Sequence, residues 1–273
     1  MDYTGYKQIH LTDDELTQFY STAILPYEFL ENEYLILMDE NDNAVDYYIK
    51  KNSEFKKVKF PIIGNDFTGQ MKPRNPQQYC ALDMLKRDDI PIKLLTGTFG
   101  SGKSMACITA ALEAVQKGKF ERIIFVRNNV QVKDTDNLGA LPGTADDKMS
   151  PYLAPFADHC GGMDGVRMLV EGGKLEVIPL GFLRGRSIKN SILYSMESEN
   201  LTKEHIQLIM GRVDSGSQLW MDGDLRQRDR ASFEKSQGLE CMIERLKNNP
   251  LFGYVHMPKS ERSEVARLAD LLD

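Results

Sequence analysis

Two hydrophobic periods alternate along most of this chain. Short apolar runs recur at 92–96, 122–127, 175–179, 190–195, 218–222 and 253–257, each the length of a buried strand. Apolar residues spaced three and four apart fit helices over 76–86, 104–117, 202–212, 237–247 and 260–271. Strands that alternate with helices imply an α/β fold: three layers, with a parallel sheet covered on both faces. Ligands of such sheets bind at the carboxyl ends of the strands, so chemistry is expected just after each apolar run.

Residues 1–70 follow another pattern. Thr12 and Glu15 match the capping box of a short helix. Glu33-Tyr34-Leu35-Ile36-Leu37-Met38 and Ala44-Val45-Asp46-Tyr47-Tyr48-Ile49 flank an Asp/Asn-rich turn and predict a hairpin. Alternating lysines over 55–63 suggest a third strand. The expected organisation is a small β-rich N-terminal extension, 1–70, before an α/β domain, 71–273. Tyr47, Tyr48 and the neighbouring lysines could form a small nucleic-acid surface, but charge runs more often mark a solvated edge.

The first strand of the α/β region runs into Gly97-Thr98-Phe99-Gly100-Ser101-Gly102-Lys103-Ser104. This fits the phosphate-binding pattern G-x-x-x-x-G-K-[S/T] at every fixed position. Glycines let successive backbone N–H groups curl around a polyphosphate. Lys103 would reach its β- and γ-phosphates, and the Ser104 hydroxyl would hold Mg²⁺. The helix that opens at Ser104 and Met105 would point its dipole at the phosphates. The strand ending at Arg127 meets the same crevice.

Composition narrows the partners. The 273 residues carry a net charge of -6, which excludes a uniformly basic nucleic-acid binder but not a local basic groove. Four scattered cysteines form no C-x-x-C pair, which suits a reducing, cytoplasmic setting. No apolar run approaches the ~18 residues of a membrane span. Met1-Asp2-Tyr3-Thr4 lacks the pattern of a signal peptide. Trp220 reads as sheet core, and the histidines suggest no metal site.

The remaining motifs come in a telling order: Asn75-Pro76-Gln77-Gln78, the phosphate loop, Val126-Arg127-Asn128, Leu141-Pro142-Gly143 with Lys148-Met149-Ser150-Pro151-Tyr152, Arg184-Gly185-Arg186, Glu197-Ser198-Glu199-Asn200, and Gly223-Asp224-Leu225-Arg226-Gln227. In this order the chain resembles the PhoH-like ATPases over 71–273. The resemblance implies a P-loop NTPase related to the superfamily 1 helicase core, using ATP and Mg²⁺. It also implies a homo-oligomer, often a hexameric ring, that engages RNA or single-stranded nucleic acid. Carried over by resemblance, Gln78 would recognise adenine. Residues 97–104, Met105 and Arg127 would line the nucleotide. Glu197 would activate the attacking water and share the metal with Ser104. Asp224 and Gln227 would sense the γ-phosphate, and Arg262 would act as a finger across a subunit boundary, with Arg184, Arg186, Arg226 and Arg228 as competitors.

One departure stands out. The family pattern has four apolar residues followed by Asp-Glu-Ala-Gln-Asn, whereas here Met196 occupies the place of the Mg²⁺-supporting Asp. A thioether is a poor partner for a hard cation. Either Glu197 or Asp224 supports the metal and hydrolysis survives, or the protein is a slow nucleotide switch or assembly factor. A small-molecule phosphotransferase fits less well, since the motifs are spent on a helicase-like crevice.

Overall fold

The computed structural model describes residues 3–59, 61–127, 153–154, 156–226 and 237–261. At its centre lie six strands in the spatial order β12 (Phe252–Met257), β7 (Ile92–Gly97), β11 (Gln218–Gly223), β10 (Ser191–Ser195), β8 (Arg122–Arg127) and β9 (Leu175–Pro179). Every pairing among them is parallel. β10 and β11 are buried along their whole length, which explains their unbroken apolar runs.

Successive strand residues face opposite layers. Leu95, Ile123, Phe125, Tyr194 and Trp220 pack with α2 (Pro76–Lys86), α3 (Lys103–Gln116) and α4 (Met163–Glu171). Leu94, Ile124, Leu193, Leu219 and Met221 pack with α5 (Lys203–Met210) and α6 (Gly238–Leu246). The result is the three-layer α/β fold that the sequence predicts. Local signals set the helix starts. Asn75 accepts a hydrogen bond from the Gln78 amide at 2.8 Å, and Pro76 supplies the first helical position. The helix expected over 260–271 begins at the edge of the described residues, and its course lies outside them.

A second sheet contains β1 (Tyr6–His10), β2 (Tyr34–Met38), β3 (Ala44–Lys51) and β4 (Glu54–Lys57). The expected hairpin is β2–β3, antiparallel, and the capping box of Thr12 and Glu15 opens α1 (Asp13–Thr22). The third strand expected over 55–63 ends early, at Lys57. The following residues form a separate hairpin of β5 (Ile63–Asn65) and β6 (Gly69–Met71) against α3. β1, which the sequence pattern does not reveal, pairs in parallel with β2.

The lysines of this front sheet are engaged by neighbours. Lys50 lies over the Phe55 ring, Lys57 pairs with Asp46 at 2.7 Å, and buried Lys51 reaches Asp89 at 2.7 Å. Tyr47 stacks on Tyr79 of α2 with ring centres 3.7 Å apart.

Two seams join the sheets. The His256 amide of β12 donates to the Thr4 carbonyl, and the Tyr34 amide of β2 donates to the Gly5 carbonyl, both at 2.9 Å. The N-terminal segment therefore covers the open edge of β12. The second seam is Asn32, buried and held at φ 63°. Its side-chain amide donates to the carbonyls of Asn249, Pro250 and Phe252, and its oxygen accepts from Lys51. Asn32→Ala leaves these carbonyls without that donor and keeps a disfavoured backbone, so it should destabilise the protein by about 2 kcal/mol or more. Urea unfolding at fixed pH measures this.

Lys93 is the largest buried cation in the central sheet. Its ammonium donates to the Arg87 carbonyl at 2.7 Å and to Gln218 Oε1 at 2.5 Å, with the Trp220 ring centre 4.8 Å away. Burial nevertheless pulls its pKa down to about 7. Between that value and the usual lysine range, the unfolded chain holds a proton that the folded chain has released. Stability should therefore rise with pH above about 7, by at most ~1.4 kcal/mol per unit. Unfolding midpoints from pH 7 to 9 should show this rise in the wild type, and Lys93→Met should flatten it.

Candidate functional site

The carboxyl ends of β7, β10 and β11 open onto a cavity of about 870 Å³, the size of a small-ligand site. Its floor is the loop 97–104, between β7 and α3. Two glycines have physical reasons to be there. Gly97 lies so close to β12 that a Cβ would sit 2.0 Å from the Met257 carbonyl oxygen. Gly102 has φ 89°, a left-handed turn that reverses the chain into α3. Turned this way, the N-terminus of a 14-residue helix faces the cavity, where its unpaired amides favour an anion.

Lys103 opens that helix. Its ammonium donates to the Gly97 and Thr98 carbonyls at 2.6 and 2.8 Å. Burial pulls its pKa below the usual value, while Asp222, Asp224 and Glu199 pull it back up. Ser104 follows on the same cavity wall as Asp222, and its hydroxyl helps lower the Asp222 pKa against the rise from burial. Thr98 bonds through its hydroxyl to the Pro258 carbonyl at 3.2 Å. Ser101 is fully buried under the loop, while Phe99 and Met105 are exposed at the cavity mouth. The Gly100 carbonyl accepts from the Glu261 amide at 3.0 Å.

Gln78 also reaches the loop. Its Nε2 donates to the Ser101 carbonyl at 3.0 Å, and its Oε1 accepts from the Arg74 amide at 2.8 Å. Both ends of the amide are thus engaged within the protein. Reading an adenine edge with both would require exchanging these bonds.

Acidic groups gather opposite the loop. Asp222, at the end of β11, is 1% exposed. It accepts hydrogen bonds from the Tyr194 hydroxyl at 2.9 Å and the Glu197 amide at 3.0 Å. Burial pushes its carboxyl above the ordinary range, and the bond to Ser104, the Lys103 charge and the Tyr194 bond oppose this. Glu197 sits on the cavity wall at φ 52°, a left-handed conformation uncommon outside glycine. Glu199 accepts from the Asp224 amide at 3.2 Å. Burial raises its pKa to about 7, with Asp222 and Glu197 adding to the rise. Asp224 in turn accepts from the Arg226 amide at 3.0 Å. Buried Met196 lines the same wall.

The structure therefore brings Gln78, Phe99, Gly100, Gly102, Lys103, Ser104, Met105, Glu197 and Asp224 to one cavity, while Gly97, Thr98 and Ser101 of the same loop do not line it. Arg127 ends β8, but its side chain lies outside the described residues. Gln227, Arg228, Arg262 and the segments 141–143 and 148–152 also lie outside them. Arg186 is tied to Glu176 on the far edge strand β9 at 2.8 Å. Sequence reasoning missed Asp222 and Glu199. For Glu199 a signal existed, a second acid two residues after Glu197; for Asp222 it was the doublet Asp222-Gly223-Asp224.

The site fits a hard cation. A serine hydroxyl and a carboxylate oxygen meet at Ser104 and Asp222, the donor type that Mg²⁺ takes. Among the described residues, no three His, Cys, Asp or Glu side chains form a complete metal cage. No helix among the described residues is long and apolar enough to cross a membrane.

Comparison with known proteins gives a consistent result. The family model described as PhoH-like protein matches residues 70–269. Protein PhoH2 of Bacillus subtilis is 30% identical over 292 residues, covering 99% of this chain and 64% of that protein. Protein PhoH2 of Thermobispora bispora is 29% identical, covering 97% of this chain and 62% of its own length. The chain thus spans less than two thirds of these relatives. Among solved structures, the large terminase from a thermophilic bacteriophage is similar, with a TM-score of 0.44 and 10% identity over 73% of this chain and 50% of its own.

The contact at Gly97 gives a test. Gly97→Ala forces β12 away from β7, at a cost of about 2 kcal/mol. It should also weaken binding of a fluorescent ATP analogue, because the same shift displaces the phosphate loop. Gly69→Ala, at a position with open space and positive φ, is the control that carries backbone strain without the clash.

Proposed function

The chain belongs to the PhoH-like family, and from that premise we propose that it binds ATP with Mg²⁺ and hydrolyses it to ADP and phosphate, coupled to binding of RNA or another single-stranded nucleic acid. The observation that carries this reading is the convergence of a phosphate loop with Asp222, Asp224 and Glu199 on one cavity.

In this reading the loop amides and the α3 N-terminus hold the polyphosphate. Lys103 exchanges its bonds to the Gly97 and Thr98 carbonyls for phosphate oxygens. Ser104 holds the metal, together with carboxylate at the strand ends. When bound, Mg²⁺ would neutralise charge on the phosphate oxygens. Glu197 orients the attacking water and takes its proton. Asp224, backed by Gln227, reports the γ-phosphate to β11. An arginine, Arg262 by family pattern, would complete the site from a neighbouring subunit of a hexameric ring. The free cysteines support a cytoplasmic setting. Residues 1–70 would serve as a β-rich extension of the ATPase domain 71–273, with which the front sheet shares a hydrophobic core.

A second reading is favoured by one observation. Met196 puts a thioether where the family pattern has an acid. A nucleotide-dependent switch or assembly factor with slow turnover would tolerate it.

Phosphate release by the wild type, Lys103→Ala and Glu197→Gln, with and without RNA, tests both readings. The ATPase reading expects wild-type turnover stimulated by RNA. It also expects Lys103→Ala to lose nucleotide binding, and Glu197→Gln to keep binding but lose at least ~100-fold in rate. Tight binding with no turnover above Glu197→Gln, RNA or not, would select the switch.

A further inference from the structure

We propose that Asp222 supports the Mg²⁺ of the bound nucleotide, so that the acid missing from β10 is supplied by the adjacent strand β11. This rests on reading the cavity as a Mg²⁺–nucleotide site and goes beyond it by naming the group that makes the site work without an acid at Met196.

β10 and β11 run in parallel, with Ser195 paired to Met221. The next residue on each strand is Met196 and Asp222 respectively. Register partners on parallel strands point to the same face, about 4.8 Å apart. A carboxylate at Asp222 is therefore the acid of the family pattern moved sideways by one strand.

The sheet order makes this move productive. β11, not β10, borders the phosphate-loop strand β7, with Asp222 paired to Leu95 and Gly223 to Thr96. Asp222 thus lies one strand nearer to the loop than Met196. Asp222 and Ser104, whose hydroxyl the phosphate-loop pattern assigns to the metal, line the same cavity, and Ser104 helps hold the Asp222 pKa down.

The carboxylate is also held in place. Tyr194 donates to one oxygen at 2.9 Å and the Glu197 amide to the other at 3.0 Å. Such outer partners fix the direction in which a carboxylate presents its remaining lone pairs. The buried Asp222 carboxylate already answers the Lys103 charge, and its oxygens sit where a cation beside Ser104 could share them. The other nearby acids have different tasks. Glu197 stands at the left-handed turn, and Glu199 bonds the Asp224 amide. Buried Met196 contributes an apolar stretch of the cavity wall.

The test uses the full chain and a fluorescent non-hydrolysable ATP analogue. Analogue binding is measured without metal, then across a Mg²⁺ titration, with Mn²⁺ binding followed by electron paramagnetic resonance. Asp222→Asn should raise the Mg²⁺ concentration for half-saturation by ~10-fold or more, while metal-free analogue binding persists. Adding Met196→Asp to Asp222→Asn should recover much of the loss, because the acid returns to the paired position. If Asp222→Asn does not fold, Tyr194→Phe replaces it. That variant keeps the carboxylate but removes one of its supports, and should shift the half-saturation in the same direction by less.

An unchanged Mg²⁺ dependence in Asp222→Asn would overturn the proposal. So would equal loss of binding with and without metal, unrelieved by Met196→Asp, which marks a purely structural residue. A wild type that binds no analogue under any condition would instead remove the nucleotide reading itself.

Discussion

The site is organised around a half-buried ammonium. Lys103 opens a helix whose N-terminus already favours negative charge, and burial makes its own charge expensive. Oxygen has to answer it. The Gly97 and Thr98 carbonyls do so within the loop, and Asp222, Asp224 and Glu199 do so from neighbouring strand ends. These acids are tolerable so deep in the protein because the cation is there. Around them Tyr194 donates to Asp222, and Glu199, raised by burial and by its acidic neighbours Asp222 and Glu197, hydrogen-bonds the Asp224 amide.

Much of the fold was legible in the chain because parallel strands buried on both faces must be apolar throughout. Ile123-Ile124-Phe125-Val126 and Leu219-Trp220-Met221 carry that requirement openly. The phosphate loop was legible because its chemistry is local: glycines, lysine and serine lie side by side in sequence. β1 was not legible, since Tyr6-Lys7-Gln8-Ile9-His10 has a mixed pattern and becomes a strand only by pairing with β2. The hairpin of β5 and β6 is too short to show a period. The setting of Gln78 was invisible for another reason. Its partners, the Ser101 carbonyl and the Arg74 amide, are backbone groups, which no residue code reports.

Asp222 shows a different limit. Its Ser104 partner is far away in sequence, and the relation between Asp222 and Met196 exists only across two paired strands. Motif patterns run along the chain, whereas a sheet also connects residues sideways. A gap in one motif is then best sought at the register partner on the next strand. In the sequence Asp222 is only a neighbour of Asp224; the sheet order is what sets it on the strand beside the phosphate-loop strand.

The seam between the sheets has a mechanical consequence. β12 touches Gly97 on one side and the Thr4–Gly5 segment on the other, and both contacts are made by bare backbone. A Cβ at Gly5 would sit 1.7 Å from the Tyr254 carbonyl oxygen, just as one at Gly97 would strike Met257. Side chains cushion displacement by changing rotamer, but backbone pressed against backbone has no such slack. β12 is therefore clasped by backbone on both sides, and neither neighbour can take a side chain at its contact without the strand giving way.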